Sequence, residues 1–148
     1  LTDGGFTKAG SSEMPYLFLI PVTDGNEQNK IEKNIKKVLS TGCTVTFTAL
    51  QIAAYLNPKN IGIVGVDHSF EVKKGPQVQK FKGDDINHFS KDYFKNQYWG
   101  LPDLKGSEKL YQISKEYFDS IQVPIIDYTN NGKLEVFNKG NIQEIIKN

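Results

Sequence analysis

The stretch that decides the fold runs Thr44-Val-Thr-Phe-Thr-Ala-Leu-Gln-Ile-Ala-Ala-Tyr-Leu56, then Asn57-Pro58, then Asn60-Ile-Gly-Ile-Val-Gly-Val66, and ends in Asp67-His68-Ser69. The first segment is apolar around most of its circumference, which predicts a buried helix. Pro58 ends it, because proline disfavours helical geometry in the residue before it. The second segment is an uninterrupted apolar run of strand length, the pattern of a strand buried on both faces. A helix followed by such a strand is half of a parallel crossover unit, so the predicted class is α/β, a mainly parallel sheet with helices on both faces. The lengths agree: the helix rise carries the chain ~20 Å and the strand returns it ~23 Å. The turn before the helix and Asp67-His68 after the strand should then share one rim of the sheet.

Outward from this unit, Pro15-Tyr-Leu-Phe-Leu-Ile-Pro-Val22 is a short apolar run with strand-like content, and Thr23-Asp-Gly-Asn26 reads as a turn. Ile31, Ile35, Val38 and Leu39 recur at helical spacing, although residues 37–40 read equally well as a strand. Residues 71–103 are rich in Lys and in Phe, Tyr and Trp, too long and too aromatic for a simple connection, and read as a functional loop or lid. Leu110, Ile113, Tyr117 and Phe118 predict a helix over 104–121. Val123-Pro-Ile-Ile126 reads as a short strand, at an edge or with Pro124 at its start. Thr129-Asn-Asn-Gly132 is a turn, residues 134–137 alternate as a half-exposed strand, and Asn141 with Glu144 predicts a capped final helix. No linker divides the chain, and residues 1–148 read as a single domain.

The charge balance is 18 basic against 17 acidic residues, a formal net charge of +1, and every basic residue is Lys. That excludes the strongly basic footprint of a general nucleic-acid binder. Without a guanidinium fork, anions must be met by Lys, backbone amides, hydroxyls or His. One Cys excludes an internal disulfide framework and a cysteine metal cluster, and favours a reducing, cytoplasmic location. No apolar run reaches the length of a membrane span. The N-terminus lacks a starting Met and the regions of a signal peptide, so the chain reads as one that begins inside a longer protein. A homo-oligomer stays open.

Three places could carry chemistry. Thr41, Gly42, Cys43 and Thr44 lie at a helix start, where unpaired N–H groups can receive a phosphate or carboxylate, and the alternative is plain N-capping by Ser40 or Thr41. Asp67 and His68 stand at the carboxyl end of a strand, where open α/β sheets bind ligands, and the alternative is a loop cap and a surface His. Asp84, Asp85, Asn87 and His88 combine carboxylates with a side chain that titrates near neutrality, suited to general-base work or a cation, and the alternative is a solvated acidic turn. The spacing matches no standard metal signature, and no resident cofactor or metal is assigned. The aromatics Phe81, Phe89, Tyr93, Phe94, Tyr98 and Trp99 around the third motif either stack on a ligand or anchor the loop.

Gly42–Leu56, the run Ile63-Val-Gly-Val-Asp-His-Ser-Phe70, Gly83-Asp-Asp-Ile-Asn-His-Phe-Ser-Lys-Asp-Tyr-Phe94 and Gly132-Lys-Leu-Glu-Val-Phe137 together resemble, over roughly residues 37–138, a bacterial and archaeal family. Its members are described as 6-hydroxymethylpterin diphosphokinase MptE-like proteins or motility accessory factor glycosyltransferases. The resemblance implies a three-layer Rossmann-like domain, similar in architecture to bacterial sialyltransferases. It implies a nucleotide-sugar donor and a glycan acceptor. Under it His88 is the base, the turn Thr41–Thr44 contacts donor phosphate, and Asp67 and His68 line the site. The family's alternative chemistry, pyrophosphoryl transfer from ATP, would use Asp67, Asp84 and Asp85 to hold Mg²⁺. A third possibility is a non-catalytic binding module. The family's first strand and its glycine-rich turn have no counterpart in residues 1–40, so the chain reads as a C-terminal part of such a unit or as a member that lost that half.

Overall fold

The computed structural model describes residues 22–23, 30–70, 78–80, 90, 92, 96 and 98–146. Strand β1 (Val22–Thr23) pairs in parallel with β2 (Leu39–Ser40), Val22 opposite Leu39. Helix α1 (Val45–Leu56) leads to β3 (Ile61–Ile63). An antiparallel pair follows, β4 (Val78–Lys80) with β5 (Tyr98–Gly100). Helix α2 (Leu104–Ser120) leads to β6 (Ile125–Asp127), β7 (Asn138–Lys139) and the short α3 (Gln143–Ile146). The protein is therefore α/β: β3, β6 and β7 form a parallel three-stranded sheet in that order, with Ile61 opposite Ile125 and Asp127 opposite Lys139.

Local chemistry explains the helix ends. Thr44 is the N-cap of α1, its hydroxyl accepting from the Thr46 N–H at 3.2 Å. Asn57 closes the helix in the left-handed region at φ 50°, a conformation Asn tolerates, and Pro58 prevents continuation. In α2 the buried positions Ser107, Leu110, Tyr111, Ser114 and Phe118 recur at helical spacing and form one stripe. Ser114 sits in that stripe because its hydroxyl donates to the Leu110 carbonyl at 2.8 Å, leaving no unmet donor. The helix ends with Gln122 left-handed at φ 59° and the Val123 N–H reaching back to the Phe118 carbonyl at 2.9 Å, a Schellman arrangement.

The two long helices pack on each other, and Leu50, Ala54, Tyr111 and Phe118 from them meet Ile63, Ile125, Leu134 and Phe137 in one core. Both thus cover the same sheet face. On the other face, Gly62, Ile126 and Tyr128 share a cavity wall with Ile145 of α3.

Several expectations need correction. The strand at 60–66 is only Ile61–Ile63, because Gly65 turns the chain at φ 81°; Val64 is 65% exposed, so two-sided burial does not hold there. Helix α1 buries Phe47, Leu50, Gln51 and Ala54 but exposes Val45, Tyr55 and Leu56. Beside β3 lies an apolar groove of about 310 Å³ lined by Gly62 and Val64 together with Val45, Ala49, Ala53 and Val66. Residues 30–40 hold a turn and then β2 rather than a helix. Residues 134–137 form no strand, although Leu134 and Phe137 are core residues. Pro124 precedes β6 directly, and β6 is the central strand. The apolar run before Val22, the turn at 24–26 and most of the long aromatic segment lie outside the described residues, with β4 and β5 the exceptions.

Gly42 joins β2 to α1 at φ 55°, and a Cβ there would run into the Leu110 side chain of α2. Gly42→Ala should therefore cost about 2 kcal/mol or more in urea denaturation, the sum of left-handed strain and overpacking.

Candidate functional site

The predicted rim is present. The turn 41–44, the segment after β3 and the first turns of α2 meet at one edge of the molecule. The Tyr111 hydroxyl donates to Thr44 Oγ1 at 3.2 Å, and the Tyr111 ring meets the His68 ring edge-on with centroids 6.1 Å apart. His68 Nε2 lies 4.0 Å from the Glu108 carboxylate, and its side chain is only 12% exposed. The backbone of His68 is left-handed at φ 49°. Asp67 is exposed and contributes its carbonyl to the Lys133 N–H at 2.7 Å.

The turn itself is stitched to α2. Ser40 Oγ accepts from the Gly42 N–H at 3.2 Å. The Cys43 thiol donates to Asp103 Oδ2 at 3.6 Å, and the Ser107 hydroxyl reaches the Cys43 carbonyl at 3.4 Å. Asp103 also caps α2, accepting from the Gly106 N–H at 2.8 Å. Gly106 has to be glycine for this, since a Cβ there would collide with both Asp103 and Cys43. Burial pushes the Cys43 thiol up from its ordinary value, and the Asp103 charge and hydrogen bond push it further the same way. Capping of α1 does occur, with Thr44 as the cap in place of Ser40 or Thr41.

No family model matches the chain. No curated protein and no solved structure matches it either.

A residue cluster that sequence reasoning missed continues the rim. Asp127, at the carboxyl end of β6, is fully buried. Its carboxylate accepts from Lys139 Nζ at 2.6 Å and from the Thr129 N–H at 2.8 Å. Thr129 in turn accepts from the Val66 N–H at 3.1 Å, which ties the end of β6 to the end of β3. Burial alone would push the Asp127 carboxyl up, but the hydrogen bonds from Lys139 and Thr129 outweigh it and hold the group below the ordinary carboxylate range. The signal in the sequence was faint: an Asp ending a short apolar run, with its partner twelve positions on.

Asp84, Asp85, Asn87 and His88 lie outside the described residues, as do Phe81, Phe89, Tyr93 and Phe94. Among the described residues no group of three or more His, Cys, Asp or Glu side chains is placed to hold a metal ion, and no helix is long and apolar enough to cross a membrane.

Lys139→Met strands a buried carboxylate and should cost about 3–5 kcal/mol, whereas Asp127→Asn leaves a lysine that can turn to water and should cost less. Because the folded Asp127 carboxyl titrates below its unfolded value of about 3.9, its contribution is complete above that pH and is lost as pH falls through the folded value; denaturation curves from pH 7 to pH 2 should show this loss in the wild type and not in Asp127→Asn. At the turn, Asp103→Asn removes the charge that suppresses the thiolate, so Cys43 should be alkylated by iodoacetamide several-fold faster at pH 8 than in the wild type.

Proposed function

We propose that the chain is a three-layer Rossmann-like unit of a nucleotide-sugar-dependent glycosyltransferase, of the family it resembles. The observation that supports this reading is the convergence of the Thr41–Thr44 turn, Asp67 and His68 on the carboxyl-end rim, the edge at which open α/β sheets take ligands. In this reading His88 accepts the proton of an acceptor hydroxyl as that oxygen attacks the anomeric carbon of the donor sugar. The bond from that carbon to the donor phosphate breaks, the nucleotide leaves, and the configuration inverts. Asp67 and His68 line the site, with Asp84, Asp85 and Asn87 in the segment that carries His88. In the same reading the Thr41–Thr44 turn contacts the donor phosphate.

Thermal-shift measurements with CMP-, UDP- and GDP-sugars should give a rise in melting temperature with one donor class. His88→Ala should keep that rise and lower transfer about 100-fold or more. A rise with ATP and Mg²⁺ alone would assign pyrophosphoryl transfer in its place, and no rise with any nucleotide would assign a non-catalytic binding module.

A further inference from the structure

A cavity of about 580 Å³ opens at the carboxyl ends of β6 and β7, within the size range of small-molecule sites. The residues lining it include Asn130, Asn131, Asn141, Gln143, Tyr128 and Lys139. We propose that it binds a neutral polyhydroxylated ligand, a sugar ring.

The charge balance selects this class. Among the described residues Lys139 is the cation of the wall, but its ammonium already donates to the Asp127 carboxylate at 2.6 Å and to the Gly132 carbonyl at 3.3 Å. Its charge is matched and two of its three donors are committed. An incoming anion would meet the Asp127 carboxylate behind the ammonium and gain little, whereas a neutral ligand disturbs neither group. The four carboxamides each present donors and an acceptor, which suits hydroxyl groups that also do both. Asn141 Oδ1 accepts from the Gln143 N–H at 3.0 Å, which orients that amide. The aromatic body of Tyr128 supplies the apolar surface against which the C–H face of a sugar packs.

The cavity adjoins the rim through the 129–132 turn, whose next residue, Lys133, donates to the Asp67 carbonyl at 2.7 Å. Calling it the acceptor-sugar subsite rests on the glycosyltransferase reading, but sugar binding itself does not. The test is a titration of the whole chain, without nucleotide, by methyl glucoside, methyl galactoside, lactose and inorganic phosphate, followed by ¹H–¹⁵N NMR. At least one sugar should shift the side-chain amide signals of Asn130, Asn131 and Gln143 at millimolar concentration. Asn130→Ala and Gln143→Ala, both at exposed positions and checked for an unchanged melting temperature, should each weaken that binding about tenfold or more. The proposal is overturned if phosphate shifts these signals and no sugar does, if neither does, or if sugar binding ignores both variants. Sugar binding without transfer from any nucleotide sugar would remove the glycosyltransferase reading and leave this site standing.

Discussion

The Asp127 carboxylate is the point on which the sheet end depends. A charged group with no solvent exposure is costly unless it is paired and hydrogen-bonded, and here Lys139 and the Thr129 amide each serve one carboxylate oxygen. The consequences spread along the chain. Lys139 is the register partner of Asp127, so the ion pair fixes how β7 lies on β6. The Thr129 N–H bond fixes the start of the following turn, and the Thr129 hydroxyl carries the constraint to Val66. A three-residue strand next to a two-residue strand has few ladder bonds with which to define itself, so side-chain polarity supplies the register that length cannot.

A second polar clamp works at the helices. Asp103 caps α2 and holds Cys43, and Tyr111 reaches Thr44, so the start of α1 is bound to the first turns of α2 at two points. Gly42 and Gly106 let the two segments approach closely enough for this. His68 sits between the two clamps, its ring against Tyr111 and its backbone next to the residue that pairs with Lys133. The rim is thus held from both sides.

What the sequence disclosed follows from what kind of signal each feature has. Both long helices were legible because apolar residues fill most of the first and recur at helical spacing in the second, and because Asn57-Pro58 is a local stop signal. Their shared rim was legible from the crossover order alone, since the seven-residue strand behind the length match is three residues long. Strand extents were not: the run 60–66 has one composition, yet Gly65 at positive φ divides it, and no hydropathy pattern marks that division. Leu134 and Phe137 bury as core residues without forming a strand, since burial needs only a side chain pointed inward while a strand needs a partner. Asp127 was hidden because its meaning lies in a contact with Lys139, and such pairs have no local signature.

The absence of Arg takes on meaning at this rim. Among the described residues, the charged groups that touch the 41–44 turn and His68 are the carboxylates Asp103 and Glu108, and the cation at the neighbouring cavity is neutralised by Asp127. These contacts set hydroxyls and backbone groups beside two carboxylates. Close to either carboxylate an anion meets repulsion that one neutral hydrogen bond does not offset.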